Sequence, residues 1–171
     1  MDLFSAKDIF TISCAVIGAV LGVINTWHGL NQRRVKLKVV PKIAYPRRHA
    51  ESGLVAGYME VTDPSVFPVQ GGQEMGCIEV TNLSAFPVTV REVGFTIDAL
   101  GKKMRAVISL PIVRDGGSWP RRLESRASVS MYFDLGCLKR NNKRAYALTD
   151  CGTVGYGNSP ALRSIRKRLP S

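Results

Sequence analysis

Histidine is nearly missing from this chain: of 171 residues only His28 and His49 carry an imidazole. Nucleophilic and acid–base catalysis most often set an imidazole beside a thiol, hydroxyl or carboxylate. His28 closes an apolar run and His49 lies in a basic loop, so neither has such a neighbour. Also missing are a C-x-x-C pair and a glycine-rich phosphate loop. The four cysteines, Cys14, Cys77, Cys137 and Cys151, are spaced for neither a zinc site nor a disulfide framework. They read as small apolar groups in a reducing compartment, and Cys151 beside Asp150 has no histidine partner. The expectation is a protein that is not an enzyme and uses no cofactor or metal.

Charge is missing too, over one stretch. From Ile9 through Gln32 there is no Asp, Glu, Lys or Arg. The nineteen residues Ile9 to Trp27 would span roughly 28 Å as a helix, close to the hydrocarbon thickness of a bilayer. No second run of this kind follows. Residues 1–32 are read as a transmembrane anchor and the rest as its cargo. A cleaved signal peptide would want a basic start and a small-x-small cleavage site, which Asn25-Thr-Trp-His-Gly29 does not supply.

The net charge of +11 is concentrated. Residues 33–48 hold seven basic side chains and no acid, and the tail from Ser159 holds four more basic residues, also without an acid. The intervening 49–158 is close to neutral, with twelve basic and eleven acidic residues. The basic flank after the helix outweighs Lys7 before it, which orients the N-terminus outside and residues 33–171 in the cytosol, at the inner (cell) membrane. The cations expected to touch anionic lipid are Arg33, Arg34, Lys36, Lys38, Arg47 and Arg48 of this juxtamembrane segment, then Arg163, Arg166, Lys167 and Arg168 of the tail.

Within the anchor, Gly18-Ala-Val-Leu-Gly22 is a G-x-x-x-G that Ala15 and Thr26 extend along one helix face. Small residues so placed let two backbones approach, a route to helix self-association in lipid. Trp27 and His28 fall at interfacial depth.

Downstream the periodicity is that of strands. Val35, Leu37 and Val39 alternate with Lys36 and Lys38, predicting a half-buried strand broken or edged at Pro41. Further strands are expected at Leu54–Val61, Cys77–Thr81, Val88–Ile97, Lys103–Ser109, Ser128–Phe133, Arg144–Thr149 and Thr153–Tyr156, with turns at Asp63-Pro64, Gly71-Gly72 and Leu100-Gly101. Seven or eight short strands with almost no amphipathic helix indicate a mainly β fold, an antiparallel sandwich over residues 49–158. The tail 159–171 begins Ser159-Pro160, an N-cap and first-turn pair. Leu162, Ile165 and Leu169 then recur at helical spacing between basic residues, which suits a helix lying on an anionic membrane surface or a short solubilising tail.

Two stretches, Ile78-Glu-Val-Thr-Asn-Leu-Ser-Ala-Phe-Pro-Val-Thr-Val90 and Trp119-Pro-Arg-Arg-Leu123, carry a wider likeness. With the anchor and the basic juncture, they make the chain resemble small bacterial single-pass membrane proteins with an immunoglobulin-like domain. The resemblance implies an immunoglobulin-like sandwich behind a membrane helix, and no assigned activity.

Two motifs read differently in context. Thr153-Val-Gly-Tyr-Gly157 spells the potassium-channel filter, but a filter needs flanking membrane helices. Here it is expected to be a strand ending in a glycine-rich turn. Asn82-Leu-Ser84 is a glycosylation sequon in an expected loop, unused if the domain is cytosolic.

The function expected is a membrane-anchored interaction module that presents a cytosolic sandwich to a protein partner or to its own copies. The alternatives are an oligomerising, membrane-perturbing effector or toxin, and phosphate binding through the basic tract, to anionic lipid or, less readily, nucleic acid. Only Tyr45 within that tract could stack on a base.

Overall fold

A computed structural model describes residues 6–48, 55–65, 74–99, 102–109, 111–138 and 141–168. The turns expected at Gly71-Gly72 and Leu100-Gly101, with His49 and Leu169, lie outside the described residues. The chain divides into two units, Met1–Arg34 and Val35–Ser171.

The first unit is the helix α1, Ala6–Gln32. Its stretch Phe10–Leu30, 21 residues with mean hydropathy 1.7, is apolar and long enough to cross a membrane, and none of it is buried. Phe10 and Val23 are each 71 % exposed. A helix apolar on all sides has no polar face to give to water.

The second unit is mainly β, with two antiparallel sheets stacked as a sandwich. The strands are β1 (Leu37–Arg48), β2 (Val55–Val61), β3 (Met75–Asn82), β4 (Val88–Ala99), β5 (Lys102–Val107), β6 (Ile112–Val113), β7 (Arg121–Leu123), β8 (Ser128–Asp134), β9 (Asn142–Thr149) and β10 (Val154–Gly157). One sheet runs β2-β1-β3-β8-β6 and the other β10-β9-β4-β5, with β7 paired to the start of β4. The short β6 and β7 have too few residues to show a period, and sequence reading misses both.

Alternation places the core. In β1, Val39, Ile43 and Tyr45 point inward; β3 and β8 add Ile78, Val80, Met131 and Phe133, and the other sheet adds Val90, Val93, Phe95, Ala145 and Ala147. The rings of Phe95 and Phe133 meet edge to face across the sheets, 5.5 Å apart. Of the two expectations for Pro41, a break or an edge, the structure has the edge: β1 runs through it. It pairs only with Ile78 of β3, because β2 joins at Ile43, and its carbonyl turns away from β3 to accept from Ser159 Oγ at 2.5 Å. The N–H that proline lacks would therefore have faced a side with no strand.

Ser159 also caps the helix α2 (Pro160–Arg168), its Oγ accepting from the Leu162 N–H at 3.2 Å. Ala161, Leu162 and Ile165 of α2 are buried in the sandwich core. Leu162 and Ile165, two residues of the apolar stripe that suggested a helix lying on lipid, are covered by the protein itself.

Candidate interaction surfaces

On α1 the expected packing face is open. A Cβ added at Gly18 or Gly22 would meet nothing within 4 Å. Thr26 Oγ1 donates to the Gly22 carbonyl at 2.8 Å, so its hydroxyl folds back on the helix. Beside it, Ala19, Gly22, Val23, Thr26, Trp27 and Leu30 line a shallow hollow of about 400 Å³. Ala15 is exposed on the same unit.

The basic residues have varied fates. Arg33, Arg34, Lys36, Lys38, Arg163 and Lys167 are exposed. Arg47 reaches Met59 Sδ at 3.5 Å, and the side chain of Arg48 lies outside the described residues. Arg168 is held by Glu74 at 2.8 Å, and Arg166 is half-buried. Lys42, counted in the basic tract, belongs to an ion network instead.

That network lies on the face of the β1 sheet turned away from the core. Lys42 Nζ stands 2.8 Å from Glu60 and 3.1 Å from Glu79. Tyr132 donates its hydroxyl to Glu60 at 2.8 Å, and Arg114 lies 3.5 Å from the same carboxylate. The Tyr58 ring stacks on Tyr132 at 4.1 Å, closing over Ala44 and Cys77. The side chains of Lys42 and Glu60 keep only 14 % and 11 % of their exposure. Burial disfavours both charges, but hydrogen bonds outweigh it: those from Lys42 and Tyr132 lower the Glu60 pKa, and those to Glu60 and Glu79 raise that of Lys42. Burial pushes the Cys77 thiol up to about 12, with Glu60 adding to it, and burial likewise raises Tyr132. A thiol and a phenol so held stay protonated, and are poor nucleophiles.

The outward face of the β4 sheet is organised differently. Gly94 lets the Tyr146 ring lie over β4: a Cβ there would stand 2.0 Å from the Ala106 carbonyl and 3.1 Å from that ring. Tyr146 gives its hydroxyl to Glu92, and the Arg105 guanidinium covers its ring at 5.5 Å. Around them is a hollow of about 500 Å³. Lys103, Arg105, Lys143 and Arg144 line it with Thr96, Asp98, Met104 and Tyr156. Among the described residues only Lys143 of these forms an ion pair, with Asp98 at 3.8 Å. Sequence reading misses this site, because residues 103–105 and 143–144 come from separate hairpins.

Two motifs resolve as structure. Asn82 is not in a loop: it ends β3, fully buried. Its amide donates to the carbonyls of Phe86, Leu123 and Glu124, and its Oδ1 accepts from the Ser84 N–H. No glycan fits there without unfolding. In Thr153–Gly157, strand β10 lies against β1, where a Cβ on Gly157 would sit 1.7 Å from the Val39 carbonyl and one on Gly155 2.8 Å from Leu37. Those glycines serve close approach between the sheets. Exposed Cys151 lies 3.0 Å from Thr149 Oγ1, and hydrogen bonds from Thr149 and Thr153 lower its pKa. Among the described residues, no group of three His, Cys, Asp or Glu is placed to hold a metal.

Comparisons with protein-family models, with curated proteins and with solved structures found no match.

Proposed function

We infer that this protein is a single-pass, membrane-anchored interaction module of the cell membrane, with its N-terminus outside and its sandwich in the cytosol. It binds a protein partner or its own copies and is not an enzyme. The observations that carry this reading are the uncovered apolar helix Phe10–Leu30 in one unit and a sandwich with its own core in the other. Orientation follows from the cations after the helix, Arg33 and Arg34 first among them.

The sandwich is read as immunoglobulin-like. With β1, β3, β8 and β6 taken as strands A, B, E and D, and β5, β4, β9 and β10 as C′, C, F and G, both sheets follow that order. β2 is then an added edge and β7 an added bridge. The free edges of β2 and β5 offer backbone groups to an extended partner segment. The open Gly18/Gly22 face supports pairing of anchors.

Protease added to sealed, right-side-out cells tests the topology: the sandwich is expected to survive until the membrane is opened. Digestion in intact cells would overturn it. Crosslinking in membranes tests the pairing, which Gly22→Ile is expected to weaken.

A further inference from the structure

We propose that the hollow on the outer face of the β4 sheet binds a free nucleotide, its phosphates on Arg105, Arg144 and Lys103 and its base on Tyr156. The volume of about 500 Å³ lies within the range of small-ligand sites, roughly 300–1,000 Å³. The lining carries four cations and one carboxylate, and that carboxylate, Asp98, already has Lys143 beside it. Among the described residues Lys103, Arg105 and Arg144 therefore face the hollow without an ion pair.

The arrangement favours phosphate over a generic anion. Arg105 is held over the Tyr146 ring, its guanidinium carbon 5.5 Å from the ring centre, and a guanidinium fork matches two phosphate oxygens at once. A guanidinium held this way loses less freedom when it takes two phosphate oxygens at once. Register sets the order along the sheet: Tyr156 pairs with Tyr146, which pairs with Gly94; Thr96 pairs with Arg105 and Arg144; Asp98 pairs with Lys103. Four residues of strand separate the first level from the last, about 13 Å. That is about the reach from a base to a second phosphate. Tyr156 is 50 % exposed and offers a ring for stacking. Asp98 closes the run of cations, which favours one nucleotide over a continuing strand.

The test is calorimetric titration of the full-length chain in neutral detergent with ADP, pyrophosphate and a short single-stranded oligonucleotide. Saturable binding of ADP is expected, tighter than pyrophosphate on the order of tenfold, and weakened by salt. Tyr156→Ala should reduce ADP binding to the pyrophosphate level, and the double variant Lys103→Ala, Arg144→Ala should weaken both ligands. These side chains are exposed, so the variants are expected to fold, and Lys36→Ala with Lys38→Ala controls for charge elsewhere. No saturable binding at low ionic strength would overturn the proposal. So would equal affinity for ADP and pyrophosphate, which makes the hollow a bare anion surface, or tighter binding of the oligonucleotide. An equal loss in the Lys36/Lys38 control would also overturn it, because it would put binding elsewhere.

Discussion

The two outward faces of the sandwich hold the same kinds of side chain and use them in opposite ways. On the β1 sheet, Lys42 sits between Glu60 and Glu79 beneath a stacked tyrosine pair. On the β4 sheet, Lys103, Arg105 and Arg144 surround an open hollow, and among the described residues none of them forms an ion pair. A lysine in the most basic tract of the chain is thus internally neutralised, while exposed guanidinium groups without an ion pair among the described residues also come from a region with almost no net charge. Counting charge along a sequence does not count charge available to a partner.

The comparison breaks most sharply at Glu60. Glu60→Leu leaves Lys42 with one partner and the Tyr132 hydroxyl with none, in a site nearly closed to water. We expect a loss of about 3 kcal/mol, read by denaturant unfolding. Changing Lys42→Met together with Glu60→Leu should cost less than the sum of the single changes, because the apolar pair no longer strands a charge.

On the opposite face the fragile residue carries no charge at all. Gly94→Ala puts a methyl group against the Ala106 carbonyl, which must shift. The expected loss is about 2 kcal/mol, with the Tyr146 fluorescence environment altered. If Gly94→Ala is neutral, the hollow has no rigid floor.

Much of the fold was legible in local pattern. Alternation marked β1 and β8, and Ser159-Pro160 marked the start of α2. At Pro41 a break and an edge could not be told apart, because a strand edge left bare by its neighbour's late start cannot be seen in one dimension. Asn82 was read as a turn residue, yet it buries its amide among carbonyls some forty residues away. The ion network was invisible for the same reason: Lys42 lies eighteen residues from Glu60 and Tyr132 seventy-two. The apolar helix needed no partner to be recognised, since its signal is wholly local.

Acid sharpens the comparison further. The Glu60 pKa is lowered in the folded state, so its contribution is present above the unfolded carboxylate range and is lost as pH falls through the folded value. Thermal stability should therefore drop below about pH 4.5, the ordinary Glu value, and the drop should be shallower in Glu60→Gln.

The smallest effect is the most telling. Lys103→Ala with Arg144→Ala removes two of the four described cations lining the hollow, and among the described residues neither side chain forms an ion pair. Exposed substitutions away from caps and buried networks usually change stability by less than about 0.5 kcal/mol, and removing mutual repulsion pushes the sign toward stabilisation. The double variant should unfold at the same denaturant concentration as the parent or slightly above it. A face that gains or holds stability when its charges are deleted is one whose charges serve something outside the fold. A clear loss, of the size expected at Glu60, would mean instead that these cations are structural and that the two faces are alike.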